Sequence, residues 1–221
     1  GSVTGNALIR AENIGVKFRL GLEKRPTLKK FVLQGIRQRS SKEFWALRNV
    51  SFTVHEGETL GIIGLNGSGK STLLRVIGGI FAPDEGTIVV KGRVSTLLSL
   101  TAGFQPELSG RENVYLVGML MGLSLKEIKE HFTDIVDFAE LGSFINAPVK
   151  TYSAGMLARL GFAIAAHLEC DILLIDEILG VGDQSFRRKS QAKIRELLKA
   201  NRTVVLVSHS MEAILEFSTK V

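Results

Sequence analysis

The sequence has little cysteine and no long apolar run, and these two absences argue against a disulfide-stabilised protein and against a membrane-spanning one. Cys170 is the only cysteine among 221 residues, which excludes an internal disulfide and is typical of a protein kept in a reducing cytosol. No uninterrupted apolar run approaches the about eighteen residues that a membrane span needs, so we expect a soluble chain. The sequence opens with Gly-Ser rather than Met, and no signal peptide or internal repeat follows. With 45% hydrophobic residues, the chain can bury a full core as one domain.

The positive charge is concentrated in one segment near the N-terminus. The 28 basic and 22 acidic residues give a net charge of +6. Nine of the bases and only two of the acids lie between Lys17 and Glu43, so the rest of the chain is nearly neutral. After Pro26, a helix would present basic residues on one face and four apolar residues on the other: Leu28, Phe31, Val32 and Ile36. We therefore predict a basic amphipathic insertion over residues 19–43.

Three interpretations of this insertion remain open. The first is a solvated loop. The second is a helix at a membrane surface or against a membrane partner, where each Lys or Arg near anionic lipid contributes about 1 kcal/mol. The third is a nucleic-acid arm, which is disfavoured because Phe31 is the only aromatic residue in the insertion that could stack on a base.

A glycine-rich stretch, GLNGSGKS, occupies residues 64–71 between the apolar run Thr59–Ile63 and the helix-like run Leu73–Phe81. Strand, glycine loop and helix in this order form the context of a phosphate-binding loop. Its glycines let backbone N–H groups approach an anion, and the helix N-terminus attracts it. Lys70 would reach the β- and γ-phosphates, and the Ser71 hydroxyl would bind Mg²⁺. The predicted nucleotide-contacting residues are Gly64, Leu65, Asn66, Gly67, Ser68, Gly69, Lys70, Ser71 and Thr72.

Apolar patterning also places the strands outside this loop. Alternation predicts one strand over Ala7–Phe18 and another over Phe44–Val54. The turn PDEG, residues 83–86, leads into two further strands, which we expect to form a hairpin around Lys91 and Gly92.

Helical periodicity begins at Ser109 and continues to Phe144. Ser124, followed three residues later by Glu127, matches a capping box that opens a helix running to Phe138. We assign residues 104–150 to an inserted helical subdomain.

Three further stretches carry polar residues suited to a nucleotide. Ser153 would cap a helix within Thr151–Leu168, with Gly155 keeping its entrance open, and such a helix start is a possible anion site. The stretch DILLIDE, residues 171–177, is typical of a buried parallel strand that ends in carboxylates. Asp176 would hold Mg²⁺, and Glu177 would act on the attacking water. The strand Thr203–His209 ends in an imidazole, that of His209, which could touch the γ-phosphate.

These four motifs, in this order and spacing, resemble the nucleotide-binding subunit of an ABC transporter. The resemblance covers essentially the whole chain, residues 1–221, as a single ABC ATPase domain that ends before its relatives do. It implies an α/β P-loop fold with a parallel core sheet, an antiparallel β subdomain and an inserted helical subdomain. It also implies ATP and Mg²⁺ as cofactors. Two copies would dimerise head to tail with ATP between them, so that Ser153 and Gly155 face the nucleotide on the other copy's Lys70, and Asp183 lies in the dimer-contact loop.

A narrower resemblance is to ABC exporters of bacterial surface polysaccharides and teichoic acids. It is carried by YSAGM (residues 152–156), DEILGVGD (176–183), AGFQPELSGRENVYL (102–116) and the insertion after residue 18. It implies an integral membrane permease as partner, a lipid-linked polysaccharide as substrate, no nucleic-acid partner, and a peripheral location at the cytoplasmic face of the plasma membrane. The segment Phe104–Asn113 would receive the permease's cytoplasmic helix.

The sequence departs from the family pattern at three places. Ala154 stands where most members have glycine, and Leu100 stands where they have a Mg²⁺-contacting glutamine. Phe18 matches the aromatic residue that stacks on adenine, but the insertion begins there, so Trp45 or Phe44 could replace it.

Two rival functions are weighed against export. One is a soluble ABC ATPase acting on ribosomes or nucleic acid, with the basic insertion as its binding arm. The other is a regulatory ATP-binding module without hydrolysis, which the presence of Glu177 and His209 disfavours.

Overall fold

The computed structural model describes residues 6–20, 42–65, 67–97, 101–176, 183–200 and 202–208, together with residues 211, 214, 215 and 218. Within this part of the chain, no helix is long and apolar enough to cross a membrane. The strands are β1 (Ala7–Leu20), β2 (Lys42–His55), β3 (Thr59–Ile63), β4 (Glu85–Val90), β5 (Val94–Thr96), β6 (Ile172–Asp176) and β7 (Thr203–Ser208). The helices are α1 (Lys70–Ile77), α2 (Gly110–Leu120), α3 (Leu125–Ala139), α4 (Ala154–His167) and α5 (Gln184–Lys199), with short 3₁₀ turns over Gly142–Asn146 and Val149–Thr151.

The strands form two sheets. The order β2-β1-β4 makes an antiparallel sheet, and the order β3-β7-β6-β5 makes a parallel one. β3, β6 and β7 are mostly buried apolar residues, as expected for strands covered on both faces. This arrangement confirms the predicted fold class, with a parallel core sheet beside an antiparallel part built on the N-terminal strands.

The predicted hairpin around Lys91 and Gly92 is wrong. β4 pairs with β1, whereas β5 pairs in parallel with β6 in the other sheet. The chain changes sheets at Gly92, whose φ of 100° is in the left-handed region, and the next N–H, on Arg93, donates to the Asp171 carboxylate at 2.6 Å. Two adjacent apolar runs around a glycine indicate a turn but do not specify which strands they pair with.

α1 packs between the two sheets. Its residues Leu73, Leu74, Val76 and Ile77 share one buried cluster with residues of β1 and β2 on one side and of β6 and β7 on the other. The helix runs from Lys70 to Ile77, so it begins three residues before and ends four residues before the predicted run Leu73–Phe81. It ends there because Gly79, with φ of 73°, has a left-handed conformation that does not continue a helix.

α4 packs on the opposite face of the parallel sheet. Along β6, Ile172 and Leu174 belong to the α1 cluster, whereas Leu173 and Ile175 belong to a cluster with Phe162 of α4. The other side of α4 joins α2 and α3 in a third cluster, so the middle of α4 is buried all round. Ser109 and Ser124 both begin their helices with complete capping boxes, as the sequence predicts for Ser124.

The predicted insertion begins and ends within paired strands. β1 continues to Leu20 and β2 starts at Lys42, with Arg19 opposite Glu43 in the register. Residues 19, 20, 42 and 43 are therefore strand residues. Residues 21–41 lie outside the described part of the chain, and their amphipathic helix stays a prediction.

Candidate nucleotide-binding site

The carboxyl ends of the parallel strands bring the glycine loop and Asp176 to one edge of the sheet. Ile63, the last residue of β3, pairs with Ser208 at the end of β7, and Asp176 at the end of β6 pairs with Val207. Because β7 lies between them and neighbouring strands are about 4.8 Å apart, the ends of β3 and β6 are roughly 10 Å apart. This edge is where ligands bind in open α/β sheets.

The glycine loop needs its glycines for two different reasons. Gly67 and Gly69 have φ of 83° and 92°, which side chains rarely adopt. A Cβ on Gly69 would also lie 2.4 Å from the carbonyl oxygen of Ala46 in β2, whereas one on Gly67 would meet nothing within 4 Å. Gly69 therefore lets the loop lie directly against β2, while Gly67 leaves the loop's outer side open.

Lys70 closes the loop from its helical end. Its ammonium donates to the carbonyl oxygens of Gly64 and Leu65, the latter at 2.7 Å, and lies 3.5 Å from the Ser68 hydroxyl. α1 starts here with no side-chain cap and no acidic residue in its first turn, within the described part of the chain. An uncapped helix start beside an ammonium group is a favourable site for phosphate. The loop therefore fits a nucleotide's phosphate groups.

Both predicted Mg²⁺ ligands lie at this edge. Ser71 is exposed in the first turn of α1, and Asp176 is partly buried at the end of β6. The described residues contain no cluster of three or more His, Cys, Asp or Glu side chains that could hold a metal by themselves. A hydroxyl and a carboxylate fit Mg²⁺, which commonly takes one or two protein ligands and completes its shell with phosphate and water.

α4 begins with an exposed, capped turn. Ser153 Oγ accepts from the Met156 N–H at 3.2 Å, which confirms Ser153 as the N-cap. A Cβ added to Gly155 would meet only the Ser153 hydroxyl, at 3.8 Å, so the chain's own packing does not require glycine there. Ala154, the departure from the family pattern, is exposed and leaves this turn open.

Asp183 is the N-cap of α5. One carboxylate oxygen accepts from the Phe186 N–H at 2.9 Å, and the other accepts from the Arg159 guanidinium. These hydrogen bonds, that of Phe186 first, hold the pKa of Asp183 below its usual range. The carboxylate thus has structural partners within its own chain.

Three aromatic residues lie at the end of β1 and at the start of β2, which leads to Ala46, against which Gly69 of the loop packs. Phe18 and Phe44 pair across the strands and are 39% and 55% exposed. The ring of Phe18 also meets that of Phe81 edge-on at 5.9 Å. Trp45 has the cations of Lys17 and Arg48 within 5.6 Å of its ring centre. Phe18 and Phe44 are therefore the more accessible rings.

Several predicted site residues fall outside the described part of the chain. These are Asn66 in the loop, Leu100, and the two catalytic candidates Glu177 and His209. Their roles stay predictions. The described residues that precede them in the chain, Asp176 and Ser208, end the adjacent strands β6 and β7.

Two polar residues whose contacts the sequence analysis missed organise the helical part and the start of α5. Asn113 is fully buried; it accepts from the Gln105 N–H at 2.7 Å, and its amide donates to the carbonyls of Gln105, Leu108 and Ser109. Arg159 binds Asp183. A polar residue in line with the buried positions of a helix was the available signal in both cases.

Comparisons with known proteins agree with this geometry. A family profile described as ABC transporter matches residues 47–180. The chain is 47% identical over 218 residues to a teichoic acids export ATP-binding protein of Lactococcus lactis, covering 99% of this chain and 47% of that protein. It is 45% identical over 180 residues to an O-antigen export system ATP-binding protein of Klebsiella pneumoniae, covering 81% and 73%.

The solved structures show the same fold. The dimeric ATP-binding cassette MJ0796, bound to ADP and phosphate, superposes with a TM-score of 0.70 at 23% identity and covers 95% of this chain and 91% of that one. The chain spans about half or less of the length of several relatives, including the teichoic acid protein and an O-antigen export protein of Myxococcus xanthus. By its sequence match over most of its length and by its fold, this chain belongs to the ABC transporter family.

Proposed function

We propose that this chain is the ATP-hydrolysing part of an ABC exporter that moves a lipid-linked surface polysaccharide across the bacterial cytoplasmic membrane. The observation that carries the ATPase half is the convergence of the Lys70 loop and Asp176 on one edge of the parallel sheet. The relatives named as teichoic acid and O-antigen export proteins support the transport half.

The residues divide the chemistry among them. Lys70 and the N–H groups at the start of α1 bind the phosphates, and an exposed aromatic ring, Phe18 or Phe44, stacks on adenine. Ser71 and Asp176 would hold Mg²⁺, which would supply positive charge beside the phosphate oxygens. Glu177 orients the attacking water and accepts its proton, and His209 contacts the γ-phosphate and the water.

A second copy completes each site. Within one chain, α1 and α4 pack on opposite faces of the parallel sheet, so the helices that begin at Lys70 and Ala154 do not face each other. A head-to-tail dimer would bring Ser153 and Gly155 of one copy to the nucleotide bound at Lys70 of the other. The exposed turn at Ser153, and a glycine that its own chain does not require, support this use.

The membrane partner docks on the helical part. The segment Phe104–Asn113 is held in shape by the buried Asn113 amide, which suits a fixed docking site for a permease's cytoplasmic helix. The basic residues of segment 21–41 would lie near anionic lipid, with the chain bound peripherally at the cytoplasmic face of the membrane.

Two substitutions separate binding from hydrolysis. Lys70→Ala removes charged hydrogen bonds to phosphate, each worth about 1.5–3 kcal/mol, so ATP affinity should fall about tenfold to a hundredfold or more. Glu177→Gln should keep ATP affinity and lower kcat by about 10²–10⁴, the range for a general base. The measurements are the binding of a fluorescent ATP analogue and the release of phosphate. The control is Lys199→Ala, which replaces an exposed residue at the end of α5.

The same variants test transport in the full-length protein. In a bacterium lacking its own copy, wild type and Lys199→Ala should restore surface polysaccharide, whereas Lys70→Ala and Glu177→Gln should leave lipid-linked polymer inside the cell. Normal export by Glu177→Gln would refute the assignment. Salt-sensitive RNA binding that disappears on deleting residues 24–39 would favour the ribosome or nucleic-acid rival instead.

A further inference from the structure

Arg159 is the only residue of α4 that carries a permanent charge. Its side chain is 19% exposed, and its guanidinium donates to Asp183 and lies 3.6 Å from the Glu140 carboxylate. The guanidinium carbon also lies 5.0 Å from the centre of the Phe186 ring. A guanidinium that is mostly withdrawn from water is stabilised by pairing, and here it is held by acids on two other elements that are themselves 51% and 59% exposed.

The pairing with Asp183 controls how α5 begins. Both oxygens of this carboxylate are engaged, one by the Phe186 N–H at 2.9 Å and one by Arg159. Asp183 thus caps α5 and binds α4 at the same time. The first turn of α5 is tied to the middle of α4 through one side chain.

Glu140 extends the network to α3. It is the C-cap of α3, with φ of 54°, and it lies between Arg159 and Lys189. Lys189 of α5 also donates to the Phe138 carbonyl at 3.0 Å. Four charges of alternating sign therefore join α3, α4 and α5: Asp183, Arg159, Glu140 and Lys189.

A cluster of aromatic rings underlies these charges. The rings of Phe138, Phe162 and Phe186 lie 5.7–6.0 Å apart in stacked and edge-on contacts, one from each of the three helices. Phe162 and Phe186 are buried. This packing restricts the helices to small relative movements, so a shift of α3 would be transmitted to Arg159 and Asp183.

Asp183 also lies close in the chain to the predicted catalytic residue Glu177. Six residues, beginning with Glu177, separate it from Asp176 at the end of β6. We propose that Arg159 is a positioning residue for ATP hydrolysis: by holding Asp183 it couples the helical part, through Glu140, to the segment that carries Glu177. This inference rests on the proposed function, and it predicts a loss of turnover without a loss of ATP binding.

A double-mutant cycle tests the coupling. Arg159→Gln and Asp183→Asn should each lower kcat about tenfold, as expected for losing a charged hydrogen bond, while Arg159→Gln leaves ATP affinity unchanged. If Arg159 acts through Asp183, the double variant should be no slower than either single one. Losses that multiply to about a hundredfold would overturn the proposal, because independent effects multiply in this way.

Amide exchange provides a readout that does not depend on hydrolysis. Arg159→Gln should speed exchange at residues 184–187 at the start of α5, even if the wild-type chain hydrolyses no ATP, so the two proposals can fail separately. Arg159→Lys keeps the positive charge, so its exchange rate at residues 184–187 should lie between those of wild type and Arg159→Gln. This variant is the check in case Arg159→Gln misfolds. Unchanged exchange in both Arg159 variants would overturn the proposal.

Lys193→Gln is the matched control. Lys193 lies on α5, the helix that Asp183 caps, and pairs with Glu196 one turn later at 2.9 Å, without a salt bridge to Asp183 or Glu140. Removing this charge should leave kcat and the exchange of residues 184–187 unchanged. An equal loss of kcat in this variant would show that any lost positive charge on these helices slows turnover, and would also overturn the proposal.

Discussion

Gly69 serves both the conformation of the nucleotide loop and its packing. Its φ of 92° is unfavourable for any side chain, and a Cβ would lie 2.4 Å from the Ala46 carbonyl oxygen. Gly67 has a similar φ of 83° but open space around its α-carbon. Substitution of Gly67 therefore tests the backbone conformation alone, whereas substitution of Gly69 adds a steric clash with β2.

We expect Gly69→Ala to lower the free energy of unfolding more than Gly67→Ala. Gly67→Ala should lose about 1–2 kcal/mol, the cost of a left-handed conformation for an L-residue. Gly69→Ala should lose about 2–4 kcal/mol, because β2 or the loop must also move. Urea unfolding without nucleotide measures both, and equal losses would contradict the packing role assigned to Gly69.

At the scale of elements, the capping box of α3 links a helix start to a sheet crossover. Glu127 accepts from the Ser124 N–H at 2.7 Å and from Arg93 at 2.9 Å. Arg93 is the residue after the point where the chain changes sheets. Hydrogen bonds from Ser124, and then the Arg93 guanidinium, lower the pKa of Glu127 to about 2.

This depressed pKa predicts a pH dependence of stability. Because the folded pKa lies below the unfolded value of about 4.3, the contribution of Glu127 is complete above the unfolded pKa and is lost as the pH falls through about 2. The difference in unfolding free energy between wild type and Glu127→Gln should shrink as the pH falls from about 6 to about 2. Glu130→Gln, exposed on the same helix, is the control. A difference independent of pH would refute the assignment.

The sequence predicted those elements whose signals are local. The glycine loop, the caps at Ser124 and Ser153 and the strand ending at Asp176 depend on neighbouring residues, and the structure places all of them as expected. The partners of β4 and β5 and the contacts of Arg159 depend on residues far away in the chain. One-dimensional patterns do not encode those pairings, which is why the hairpin was wrong and the charge network was missed.

In the molecule as a whole, the helices that begin beside Lys70 and Ser153 pack on opposite faces of the parallel sheet. α1 and the Lys70 loop belong to the face shared with the antiparallel sheet, and α4 belongs to the face that carries the helical part. Lys70 is partly buried and Ser153 is exposed, and the sheet lies between the helices that they begin. We therefore expect each catalytic site to be built from two copies.

Mixing inactive variants tests whether two copies share a site. Lys70→Ala and Ser153→Glu should each abolish ATP hydrolysis alone, the second because a carboxylate would repel phosphate at the shared site. In a head-to-tail dimer, an equimolar mixture restores one intact site per mixed dimer, so hydrolysis should return. In a second mixture, wild type is combined with a chain that carries both substitutions. The mixed dimers should then hydrolyse no ATP, because each of their two sites contains one of the substitutions, and only the remaining wild-type dimers should be active. The opposite pattern, with no recovery in the first mixture and activity retained by mixed dimers in the second, would show that each chain contains a complete site and would contradict the account.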